Sequence, residues 1–202
     1  MKIIKIEPRN FGSNTYILTA DGKTAVVIDP AESSILNELS ARSLKCEYVL
    51  LTHGHFDHVG GCRALAETGA QILCSEEEAP LIFSKEYLGI FGGVNVPHFE
   101  ISRTIKDGES FELCGIKFTA MLTKGHTKGG MCYIADKNIF TGDTLFFGSV
   151  GRWDLPTGNF SELKASLKKL SALKGDYNVY SGHGENTKLS HEKKYNSYMI
   201  ED

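Results

Sequence analysis

The sequence predicts an α/β (α+β) fold in which two packed sheets carry helices on their outer faces. Three observations predict it. Both halves of the chain run as strand-like segments followed by helical ones. The side chains best suited to hold metal ions all fall just after strand-like segments, in turns. Of 202 residues, 41% are hydrophobic and 23% charged, ordinary values for a globular chain with a sizeable core. A single domain over residues 1–202 is expected.

Residues 2–6, 15–19 and 24–28 read as three strands, the last two joined by a turn at Asp21-Gly22. Asp29-Pro30 ends the third. Residues 33–43 place Ile35, Leu36 and Leu39 at helical spacing, with Leu44 just beyond. Residues 47–52 form an apolar run of β-formers and read as a buried strand. A helix over 59–68 is ended by Gly69, and a short strand follows at 71–74. Glu76-Glu77-Glu78 opens a short helix, with its charges expected on a solvated face. Residues 88–99 are apolar, carry three glycines and show neither helical nor strand periodicity. Three readings stay open for them: a mobile loop near a site, a subunit contact giving a homodimer, or burial against the core. His98 lies there without a ligand neighbour and is left out of the site.

The second half begins again with strands at 104–105, 110–113, 116–122, 131–135 and 139–141, with turns at Asp107-Gly108 and Cys114-Gly115. An amphipathic helix over 161–173 has Ser161 as its cap and Glu162 in its first turn. A strand at 178–180 and a final helix over 187–199 complete the chain.

The chemistry concentrates in Thr52-His53-Gly54-His55-Phe56-Asp57-His58. In extended backbone His53 and His55 point the same way, so together they can grip one ion. Asp57 and His58 follow once the chain has turned, and can face a second ion beside the first. Imidazole and carboxylate are donors that zinc, iron and manganese accept. In a shuffled chain of this composition the pattern arises in roughly 4 of 10,000 sequences. Three further donors repeat one context: a strand, a glycine, then a ligand-type residue. They are His126 after Gly125, Asp143 after Gly142, and His183 after Gly182.

Charge and composition exclude other classes. The net charge is -3, and no basic stripe marks a nucleic-acid surface. Residues 1–8 lack the apolar core of a signal peptide, and no segment approaches a membrane span. The five cysteines are scattered and form no CxxC, which reads as reduced, buried thiols in a cytoplasmic protein.

With these motifs in hand, the sequence resembles the metallo-β-lactamase fold superfamily. The matching elements, in order, are residues 52–58, Gly125-His126-Thr127, Gly142-Asp143 and Gly182-His183. The resemblance covers essentially the whole chain. It implies an αββα sandwich of two mixed sheets with helices outside and metal ions at one edge. Asp29 matches an acidic residue that ends an early strand and supports the metal site from behind the ligands. Within the superfamily, residues 140–146, 151–158 and 181–187, with Glu192 and Asn196, resemble the glyoxalase II group, which hydrolyses the thioester of S-lactoylglutathione. That match implies one ion at His53, His55 and His126, another at Asp57, His58 and His183, and Asp143 bridging both.

The implied reaction is thioester hydrolysis by a metal-bound hydroxide, with Asp57 and Asp143 as catalytic carboxylates and a small-molecule thioester as the partner. Two divalent ions are expected, zinc foremost, with iron or manganese as alternatives. Two-domain members of the group add a carboxy-terminal helical domain. This chain ends about 20 residues after His183, so that domain is expected to be absent. Those members also carry a tyrosine where this chain has Glu185. Arg152 falls where they have a basic residue for a glutathione carboxylate, and an ion pair with Asp154 is the competing reading.

No Gly-x-Ser-x-Gly is present, so a serine nucleophile is not expected. A rival activity is a persulfide dioxygenase holding one iron at His53, His126 and Asp143. A lactonase or β-lactamase is a third, and a non-catalytic metal-binding protein is the reading from another class.

Overall fold

Asp21 builds the first hairpin. Its carboxylate accepts the backbone N–H of Lys23 and of Thr24, each at 2.8 Å. Gly22 takes the left-handed conformation between them, at φ 70°. In this computed structural model, which describes residues 1–8, 12–89 and 96–200, that hairpin starts the first of two sheets.

The first half contains β1 (Lys2–Ile6), β2 (Thr15–Thr19), β3 (Thr24–Ile28), α1 (Ile35–Ala41), β4 (Lys45–Leu50), α2 (Phe56–Val59), α3 (Cys62–Glu67), β5 (Gln71–Ser75), α4 (Lys85–Gly89) and β6 (Arg103–Ile105). Its strands lie side by side in chain order. β1 to β3 are antiparallel, and β3 to β6 run parallel. The second half contains β7 (Ser110–Leu113), β8 (Ile116–Leu122), β9 (Met131–Ala135), β10 (Asn138–Gly142), α5 (Phe160–Ser171), β11 (Asn178–Ser181), β12 (Thr187–Lys188) and α6 (Leu189–Tyr195). It forms a second sheet in the order β12-β11-β10-β9-β8-β7. Only β10 and β11 pair in parallel there. Both sheets are mixed.

Side-chain alternation sorts the core into layers. Tyr16, Leu18, Val26 and Ile28 meet Phe118, Ala120, Tyr133 and Phe140 between the sheets. The intervening Ile17 and Val27 face outward and pack with Val49, Leu39, Cys62 and Leu65, under α1 and α3. On the far side Cys132, Ile139 and Val179 pack under Leu163, Leu167 and Leu170 of α5 and Leu189 of α6. The result is the expected αββα sandwich. Each large side chain so buried contributes about 1.5–3 kcal/mol.

Several boundaries differ from the sequence reading. The helix expected over 59–68 is shortened to α3, and Val59 instead ends α2, with Gly60-Gly61 between the two. The cap of α5 is Asn159, whose side chain accepts the N–H of Glu162, so Ser161 lies inside the helix. The expected helix over 187–199 begins as β12, which pairs with β11, and only then becomes α6. The stretch 76–84 is turns, with no α-helix, and Glu78 is fully buried rather than solvated. Of 88–99, residues 90–95 lie outside the described ones. Of the rest, Phe99 is buried in the core and His98 stacks on Phe83 at the surface. All five cysteines are free, four of them buried. Among the described residues, no helix is long and apolar enough to cross a membrane.

Candidate metal centre

The ligand-type residues gather at one edge of the sandwich because they follow strand ends that finish there. Asp29 follows β3, residues 53–58 follow β4, His126 follows β8, Asp143 follows β10 and His183 follows β11. The two sheets are tied together at this edge, where the N–H of Met131 donates to the carbonyl of Thr52 at 2.8 Å. Two glycines let the donors close in. A Cβ on Gly182 would lie 2.2 Å from Asp143 Oδ1 and 2.8 Å from His58 Cε1. Gly142 sits at φ 49°, and its Cβ would meet Thr52 Oγ1 at 2.2 Å.

All the candidate ligands converge. His126 Nε2 lies 3.2 Å from His53 Nε2 and 2.9 Å from His55 Nδ1. Asp143 Oδ1 is 3.3 Å from His58 Nε2, and its Oδ2 is 3.5 Å from both His126 Nε2 and His183 Nε2. Asp57 Oδ2 is 3.3 Å from His183 Nε2 and 3.9 Å from His58 Nε2. The donor atoms form close sets, each spanning no more than 4.8 Å: His53, His55 and His126; Asp57, His58 and His183; and Asp29, His53 and His58.

Hydrogen bonds behind the ligands assign the tautomers. Thr52 Oγ1 donates to Asp29 Oδ2 at 2.6 Å, so it accepts from His53 Nδ1 at 3.1 Å. His126 Nδ1 donates to the carbonyl of Arg152 at 2.7 Å. His58 Nδ1 donates to Asp29 Oδ2 at 2.9 Å. The Nε2 atoms of His53 and His126 are therefore lone pairs turned into the cluster, and His58 turns its Nε2 the same way. Asp29 itself also accepts the N–H of Thr52, so both its oxygens are engaged. It orients the ring of His58 and, through Thr52, that of His53.

This arrangement fits cations. Two bare imidazole nitrogens 3.2 Å apart repel unless positive charge lies between or beside them. Two atoms that face the cluster, His58 Nε2 and Asp143 Oδ1, are buried without a hydrogen-bond partner among the described residues. Such orphaned atoms cost about 1–3 kcal/mol each. Neutral imidazoles and carboxylates are the donor set of zinc, iron and manganese.

The electrostatics divide the cluster. Burial holds the His53 pKa well below its usual value, and the neighbouring imidazoles push the same way. Burial takes His55 down to about 3, helped by His126. Burial also lowers His126, against the pull of Asp143. For His58 burial is outweighed by Asp143, Asp57 and Asp29, which raise its pKa well above the usual value. His183 is raised too, because the hydrogen bond to Asp57 and the charge of Asp143 exceed the cost of burial. Burial would raise the two aspartates, but His58 with His183 holds Asp57 low, and His58 with His126 holds Asp143 low.

Arg152 holds Asp154 through two hydrogen bonds of 2.9 Å at the exposed surface. The ion pair exists, and only its backbone carbonyl reaches the cluster. Sequence reasoning missed Glu78. It accepts four hydrogen bonds at 2.7–3.0 Å, from Gly54 N, Tyr87 Oη, Thr127 Oγ1 and Gly129 N. The signal that could have found it is its place just after β5, on the same edge as the other donors.

Comparison with known proteins agrees with this geometry. A family model described as the metallo-beta-lactamase superfamily matches residues 8–183. Hydroxyacylglutathione hydrolase GloC of Haemophilus influenzae is 34% identical over 208 residues, covering 98% of each chain. The solved structure of BLEG-1 B3 metallo-beta-lactamase is 27% identical, with a TM-score of 0.92 over 99% of this chain and all of that one. TTHA1623 in a di-iron-bound form is 29% identical, with a TM-score of 0.84, covering 96% of this chain and 99% of that one.

Proposed function

The chain belongs to the metallo-beta-lactamase superfamily, and from that premise we propose that it is a two-metal hydrolase of small thioesters. The observation that carries the two-metal reading is Asp143, a single carboxylate whose oxygens face His58 on one side and His126 and His183 on the other. The di-iron form of a 29% identical structure supports it. The thioester reading is supported by the 34% identical hydroxyacylglutathione hydrolase, which aligns over nearly its full length.

In this reading His53, His55 and His126 hold one ion and Asp57, His58 and His183 the other. Bound ions supply positive charge that polarises a carbonyl and makes water acidic near neutral pH. The protein does the rest. In the metal-free protein the histidines hold the Asp57 and Asp143 pKa values low, so both carboxylates are ionised and ready to receive an ion or to accept a hydrogen bond from water. Asp29 and the Arg152 carbonyl fix the rings of His58 and His126. The walls around His53, His55 and His126 are buried, which strengthens each electrostatic contact there. A thiolate leaves without a strong general acid.

The test is a panel of thioesters, with glutathione and smaller thiols, assayed while metal is quantified per chain. Hydrolysis with about two ions per chain supports the reading, and no thioester turnover by the loaded protein sinks it. The panel includes a β-lactam, because BLEG-1 superimposes so closely. It also includes a persulfide under oxygen, because His53, His126 and Asp143 by themselves form a two-histidine, one-carboxylate set.

A further inference from the structure

Glu78 has no place in the ligand sets, yet it is fully buried and makes four hydrogen bonds. Their sources are specific. Gly54 N is the amide between His53 and His55. Thr127 Oγ1 belongs to the residue after His126, and Gly129 lies further along the same loop. The first pair of ligands comes from the loop after β4, the third ligand from the loop after β8. One oxygen of Glu78 binds one loop and the other oxygen binds the second. Tyr87 donates to Glu78 Oε1 at 2.7 Å and lays its ring 4.8 Å from the ring of His55. The fit is close, since a Cβ on Gly129 would meet Glu78 Oε2 at 2.6 Å and its backbone N at 2.3 Å. Ser75 Oγ, which donates to the Gly129 carbonyl, also receives the N–H of Glu78 at 3.0 Å.

We propose that Glu78 is a positioning residue for the three-imidazole metal set, clamping the two loops that carry His53, His55 and His126 so that their nitrogens stay preorganised for one ion. It contacts no donor atom of that set. It acts through the two backbone amides, the Thr127 hydroxyl and Tyr87. A carboxylate is the side chain that suits this place, because all four partners are donors. Glutamine keeps the shape but turns an NH₂ toward two of those donors, whichever way the amide is flipped. The two metal sets should then respond differently. Glu78 touches the loops of one set, while neither His58 nor His183 has a hydrogen bond to it.

The proposal rests on the metal-binding reading above, and its test does not use hydrolysis. Protein loaded with zinc is passed to a chromophoric chelator, and the release of each ion is timed. His55→Asn and His183→Asn assign the two phases. Glu78→Gln should release the ion of the three-imidazole set at least about tenfold faster, in line with other residues that orient metal ligands. The other phase should change less than about twofold, and the metal-free melting temperature should fall by too little to account for the faster release. Thr127→Val and Tyr87→Phe each remove one donor and leave the carboxylate, so they should show smaller accelerations of the same phase. They keep the test open if Glu78→Gln does not fold. Equal acceleration of both phases, a fall in metal-free stability that accounts for the whole change, or no acceleration in any variant overturns the proposal alone. A parent protein that holds no zinc overturns the metal reading and the proposal with it.

Discussion

The two halves of the ligand cluster differ in depth and in charge. His53, His55 and His126 are buried imidazoles whose pKa values lie below the usual one. The other half has two carboxylates beside His58 and His183, whose pKa values are raised. It also opens to solvent, with the His183 side chain 38% exposed. The first half is thus a set of bare lone pairs waiting for a cation. The second already attracts protons, which stand where an ion would bind. A proton and a metal ion compete for the second half far more than for the first.

Breaking the member that both halves share should have the largest effect. Asp143→Asn removes the bridging charge, and thioester turnover should fall at least about 100-fold, measured on folded protein with its metal content checked. Near-normal turnover would remove Asp143 from the centre.

The next largest effect is on stability. Metal binds only where folding has brought residues 53–58 to His126, Asp143 and His183, so chelation should lower the melting temperature. With each ion at about 1,000 times its dissociation constant, one site contributes about 4 kcal/mol. For a chain of this size that shifts the melting temperature by roughly 8–16 °C. An unchanged melting curve after verified metal removal would contradict this.

A pH series on metal-free protein should then separate the halves. The raised histidines, His58 and His183, stabilise the fold fully below their unfolded value of 6.5, and that contribution is lost as pH rises through their folded values. The depressed histidines act oppositely. Their cost begins as pH falls below 6.5 and grows toward their folded values, about 3 for His55. His183→Asn should therefore flatten the alkaline side of the melting profile and leave the acid side unchanged. With metal present, the second ion should be lost first on acidification, from about two per chain toward about one, as seen by elemental analysis across the series. Simultaneous loss of both ions would erase the distinction between the halves.

The smallest effect belongs to Arg152, outside both. Its guanidinium already holds Asp154, so Arg152→Ala should raise KM a few-fold for thioesters bearing a carboxylate and leave neutral ones nearly unchanged. Equal changes for both kinds of substrate would deny it any part in recognition.

The strands and the ligands were legible because each carries a local signal. Apolar runs such as 24–28 and 47–52 announce strands, and His53, His55, Asp57 and His58 fall within six residues. What escaped depends on distant neighbours. The helix over 59–68 starts late because the Gly61 N–H donates to the carbonyl of Pro30 at 2.7 Å, in the loop after Asp29, and Gly60 lets that loop come close, since a Cβ there would lie 2.3 Å from the carbonyl of Ala31. Thr187 and Lys188 extend because β11 offers them a partner, although the residues after them favour a helix. Glu78 looked solvated beside Glu76 and Glu77. Its burial follows from amides at Gly54 and Gly129, separated from it by 24 and 51 residues. No local pattern encodes such a partner.

Asp29 carries a consequence for how this protein can change. Its backbone sits in the left-handed region at φ 49°, while its carboxylate serves Thr52 and His58. Left-handed residues other than glycine cost about 1–3 kcal/mol. Asp29→Gly would relieve that strain but leave the Thr52 N–H, the Thr52 hydroxyl and His58 Nδ1 without their buried acceptor, at about 1–3 kcal/mol each. The three losses together outweigh the one relief. Selection for thermal endurance and selection for turnover would therefore act in the same direction here, and a library screened for either would keep the aspartate.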